Sequence, residues 1–154
     1  EMNYLTAFVA GFLSTLVFHQ GALAILHAAG LTTRAPYSTT PTWPFHVPAV
    51  VSLAFWGGVW AVVLWRFIDR SRAPWAYWIA WVGLGAILPS AVAWFVVFPL
   101  KGMPLAGGWS PEVIAGALLL NGAWGFGVAL LLRGVDWLRS RAAGPGSNRP
   151  AASK

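Results

Sequence analysis

Four stretches of this chain are long, apolar and almost free of charge: Tyr4 to Ala29, Pro48 to Ile68, Pro74 to Pro99 and Pro111 to Leu132. Each matches or exceeds the roughly 20 residues that an α-helix, rising 1.5 Å per residue, needs to cross a hydrocarbon core of about 30 Å. Backbone in lipid must satisfy its own hydrogen bonds, which restricts such stretches to helices. The expected fold is therefore all-α, a polytopic membrane protein with four transmembrane helices in a compact bundle. Composition agrees, because 58% hydrophobic against 9% charged residues lies outside the balance of soluble domains. Little chain is left for a globular module, so function has to reside in the helices or their short loops.

Residues 1–141 are expected to form this transmembrane domain, and 142–154, AAGPGSNRPAASK, a flexible tail too small and polar to pack. Pro48, Pro74 and Pro111 fall where a first-turn proline forfeits no intrahelical hydrogen bond. In Ser110-Pro111-Glu112 the serine is placed to cap free amides and the glutamate to meet the positive end of the helix dipole. Helix two, PAVVSLAFWGGVWAVVLWR, resembles helix four, PEVIAGALLLNGAWGFGVALLLR, and a parallel 2+2 internal repeat would account for it.

Lysine and arginine set the expected orientation, since cytoplasmic connections retain positive charge. Arg34 and Lys101 are alone on the first and third connections. Arg66, Arg70 and Arg72 flank the second, and Arg133, Arg139, Arg141, Arg149 and Lys154 follow the fourth span. Eight against two puts both termini on the cytoplasmic side, with a bacterial inner membrane the expected location. The first span lacks a basic leader and is too long for a signal peptide, so it is expected to be retained. The net charge of +6 is explained by this asymmetry rather than by nucleic-acid binding.

Polar groups inside spans are costly to expose to lipid and face protein or water. His19 and Gln20 in helix one, Ser90 beside Pro89 in helix three and Asn121 in helix four are expected to converge, with Trp56 and Trp124 as apolar walls. Together they form a candidate substrate-binding site in which His19 supplies a protonation-sensitive group and the amides orient a solute. The competing reading has His19 and Asn121 as hydrogen-bonded glue between helices. Pro89 is expected to kink helix three and to free the Gly85 carbonyl. Lys101, in a glycine-rich turn, is a candidate contact for an anion or lipid headgroup, with simple snorkelling as the alternative. Tyr37 and His46 carry less signal.

The chain has no cysteine, which removes thiolate metal sites, iron–sulfur clusters and cysteine nucleophiles. Its acidic residues, Glu1, Asp69, Glu112 and Asp136, all lie away from mid-span, which argues against paired-carboxylate catalysis and carboxylate metal sites. No nucleotide-binding or hydrolase motif is present. No metal or cofactor is expected; haem held by His19 and His27 would require facing histidines at similar depth. These features rank a transporter or channel-like solute-binding protein first. A non-catalytic subunit or assembly factor of a larger membrane complex comes second, and an intramembrane enzyme third. The expected partners are the bilayer and either further copies or other membrane chains.

Overall fold

The computed structural model describes residues 3–68 and 73–142. It contains four helices long and apolar enough to cross a membrane: α1 (Tyr4–Ala28), α2 (Ala49–Phe67), α3 (Pro74–Leu100) and α4 (Pro111–Ala142). The fold is all-α, and the chain is a multi-pass membrane protein. The side holding Asn3 and the end of α4 is termed the terminal side, and that holding the first and third connections the hairpin side.

Local chemistry explains the helix starts. The Asn3 side chain accepts from the Thr6 amide at 2.9 Å and caps α1. Pro74 and Pro111 open α3 and α4 as first-turn prolines. Pro48 instead stands just before α2, in a short antiparallel pair of β1 (Pro41–Thr42) with β2 (Val47–Pro48). The Ser110 hydroxyl donates to the Glu112 carboxylate, not accepting from free amides as expected of a cap.

The fourth helix outruns its apolar stretch, continuing from Leu132 to Ala142. This overhang carries charges of both signs, and Arg139 reaches back to the Thr6 hydroxyl at 3.4 Å. Asp69, Arg70, Arg72 and the tail from residue 143 lie outside the described residues.

The helices are ordered α2, α1, α4, α3 across the bundle: α1 packs on α2, α3 on α4, and α1 on α4, while α2 and α3 touch little. Accordingly 39% of an apolar 18-residue stretch is buried inside the bundle in both α1 and α4, against 22% in α2 and 17% in α3. The similar stretches of α2 and α4 thus occupy unlike places, one flanking and one central.

Close approach at glycines makes each of the three interfaces. A Cβ on Gly11 would collide with Ala61 and the Gly57 carbonyl, one on Gly125 with the Trp81 carbonyl, and one on Gly127 with Ser14 and Phe18. Without a hydrophobic drive between helices in lipid, such backbone proximity and the dispersion contacts it permits provide much of the association. Leu64, Tyr77, Trp81, Trp124, Val128 and Leu132 fill the core between the glycine seams.

Two spans contain a wide π turn, Thr15–His19 in α1 and Ala93–Val97 in α3. Helix α3 is α-helical through Pro89, and its irregular turn begins four residues later. Such turns insert one extra residue and re-aim the side chains that follow. In α1 the turn ends on His19, and Gln20 is the first residue after it.

Candidate functional site

Counting 1.5 Å per residue from Ala28 puts His19 about 13 Å from the hairpin-side end of its span, well inside the hydrocarbon. His19 is 7% exposed. Gln20 Nε2 lies 3.3 Å from His19 Nδ1, and Gln20 Oε1 accepts the Tyr37 backbone amide at 2.6 Å. This chain of partners fixes the proton on the imidazole. The Tyr37 amide can only donate, so the oxygen of Gln20 faces it and the NH₂ faces His19. His19 Nδ1 is therefore the acceptor, and the neutral ring carries its proton on Nε2. Among the described residues, Nε2 has no hydrogen-bond partner.

Tyr37 is the residue that sequence reasoning ranked too low. It belongs to the connection between α1 and α2, yet its hydroxyl donates to the Leu16 carbonyl inside the π turn at 2.9 Å. With its amide on Gln20, this clamps the loop down onto the helix. Tyr37 adopts φ 53°, a left-handed conformation that aromatic residues rarely take. The polar Pro/Thr-rich surroundings of Tyr37 gave no sign that the loop turns back into the bilayer region.

A second polar arrangement joins α3 to α4, where Asn121 Nδ2 donates to Ser90 Oγ at 2.9 Å. Ser90 is fully buried. A third joins α1 to α4: the Trp124 indole N–H donates to the Gly11 carbonyl at 3.1 Å, and the Ser14 hydroxyl to the Trp124 carbonyl at 2.6 Å. Thr15 adds a bond to the same Gly11 carbonyl at 3.0 Å.

Of the six residues expected to line one site, five are thus divided among three separate arrangements, and no hydrogen bond links these among the described residues. Asn121 bonds to Ser90 and not to His19. Trp56 is 56% exposed on the outer face of α2, edge-on to Phe55 and on a different face from buried Trp124. Lys101 is exposed in the turn after α3.

His27 stands nearer the hairpin-side surface, its Nδ1 bonded to the Thr32 carbonyl at 3.2 Å. Among the described residues no group of three His, Cys, Asp or Glu is placed to hold a metal ion.

Comparison with protein-family models, curated proteins and solved structures finds no match to this chain.

Proposed function

We propose that this protein is a non-catalytic subunit or assembly factor of a larger membrane complex in a bacterial inner membrane, with both termini cytoplasmic. One observation carries the reading: the hydroxyl and amide side chains buried in the spans are engaged with other side chains or with backbone, although the indole N–H groups of Trp81 and Trp94 have no partner among the described residues. Asn121 with Ser90, Trp124 with Gly11 and Gln20 with Tyr37 fasten helix to helix or loop to helix. Groups so engaged set helix positions and leave few donors for a passing solute. The outer faces of α2 and α3 remain apolar and aromatic, including Phe55, Trp56, Ile87 and Phe95, and fit other helices as well as lipid. The orientation rests on the eight-against-two distribution of basic residues.

Native mass spectrometry after gentle extraction from the host membrane tests the proposal. A defined complex with chains of other sequence is the expected result. A homo-oligomer that retains a small solute would overturn it.

The unpartnered Nε2 edge of His19 supports a second reading, a solute-binding or transport protein in which that N–H meets an acceptor on the solute. Solute-dependent thermal stabilisation that disappears in His19→Ala would favour it. Proteoliposome flux unchanged in the His19→Ala, Asn121→Ala double variant would count against it.

A further inference from the structure

Where α4 leaves the bundle on the terminal side, Tyr77, Arg133, Asp136, Trp137 and Ser140 border a cleft of about 540 Å³. Tyr77 forms its rigid wall: it is buried, and its hydroxyl donates to the Ala129 carbonyl at 3.3 Å. The Arg133 guanidinium lies 4.5 Å from the centre of that ring. Stacking occupies the face of a guanidinium and leaves its N–H edge available, the edge that pairs with phosphate oxygens.

Asp136 follows Arg133 by three residues and so shares its helix face, about 5–6 Å away between Cβ atoms. The two form no ion pair among the described residues. The cleft therefore offers a cation and a carboxylate, side by side and uncommitted to each other. The Trp137 ring flanks them, stacked with Arg141 at 4.2 Å.

Depth identifies what lies against this wall. Arg133 comes directly after Leu130, Leu131 and Leu132, where the apolar part of the helix ends. From there to Ser140 is about 10 Å of helix, enough to pass through the roughly 5–8 Å headgroup layer on one side of a bilayer.

We propose that this cleft seats the headgroup of a zwitterionic phospholipid bearing a phosphodiester and a primary ammonium, with the phosphate on Arg133 and the ammonium on Asp136. In an ethanolamine headgroup the ammonium lies two methylenes beyond the ester oxygen, a reach suited to side chains one helical turn apart. An anionic headgroup would bring negative charge against Asp136. A choline headgroup has no N–H to donate to the carboxylate.

The test is competition by native mass spectrometry on the delipidated full chain, offered equal amounts of phosphatidylethanolamine, phosphatidylcholine and phosphatidylglycerol. The wild-type protein is expected to retain phosphatidylethanolamine severalfold over the other two. Asp136→Asn should abolish that preference while still retaining lipid, and Arg133→Gln should lower retention of all three. Circular dichroism and a single gel-filtration peak verify the fold of each variant, and the wild-type competition decides the matter even where a variant fails to fold. Phosphatidylglycerol retained at or above phosphatidylethanolamine overturns the assignment. A preference that survives both substitutions overturns it too. Displacement of the lipid by an equal concentration of soluble phosphoethanolamine would assign the cleft to a soluble ligand and refute the lipid claim.

Discussion

Trp124 of α4 donates its indole N–H to the carbonyl of Gly11 of α1 at 3.1 Å, across the interface between the two central helices. The ring is held in the core beside Gly57 and Gly85, so it touches the seams to both flanking helices. Its two contributions separate by substitution. Trp124→Phe keeps an aromatic ring and removes the donor, and should cost about 0.6 kcal/mol, the mean for interhelical hydrogen bonds in a membrane protein. Trp124→Ala also removes the ring and should cost about 3–5 kcal/mol. Reversible unfolding in mixed micelles measures both; equal costs would refute this division.

Gly57 has no room for a side chain, because a Cβ there would collide with the Thr15 hydroxyl and press on Trp124 Nε1. Gly57→Ala should therefore destabilise by about 1–3 kcal/mol, as overpacking does. Gly83 of α3 has nothing within 4 Å of the same position. There alanine should be neutral or stabilise by up to about 1 kcal/mol through its better helix propensity. Thermal melting of the two variants side by side checks the contrast.

The Asn121 to Ser90 bond predicts a specific coupling between α3 and α4. In a double-mutant cycle with Asn121→Leu and Ser90→Ala, the interaction energy should fall near 0.6 kcal/mol and not above about 1.7 kcal/mol. Additive single costs would mean that the pair does not hold the helices.

The His19 tautomer is directly observable. In ¹⁵N-histidine-labelled protein, nitrogen shifts should report His19 with Nε2 protonated and Nδ1 bare. Gln20→Leu should remove this preference. Because Gln20 also holds the Tyr37 amide, the same substitution should raise amide exchange in the connection around Tyr37.

Hydropathy made the four spans legible, since crossing lipid imposes both length and helicity on any chain that does it. Their ends follow the sequence closely on α1, α2 and α3. The end of α4 was hidden because its last turns are polar and owe their helicity to local propensity and to contacts such as Arg139 with Thr6. Which polar groups meet was not legible. Mid-span depth is readable from position, but rotation depends on the π turn at Thr15–His19, which leaves no hydropathy signature. The arrangement α2, α1, α4, α3 depends on which small residues face one another, and the chain carries many such pairs. Tyr37 ranked low for a related reason: its role comes from a loop folding back onto its own helix.

Cysteine accessibility separates a packed interior from a solute path most directly, and the absence of native cysteine makes it clean. Ser90→Cys is nearly isosteric at a fully buried position, and Lys101→Cys reports an exposed turn. In intact membranes treated from both sides with a water-soluble thiol reagent, Lys101→Cys should label readily and Ser90→Cys should remain unlabelled. Labelling of Ser90→Cys at a rate approaching that of Lys101→Cys would contradict the account and place an aqueous path through the bundle.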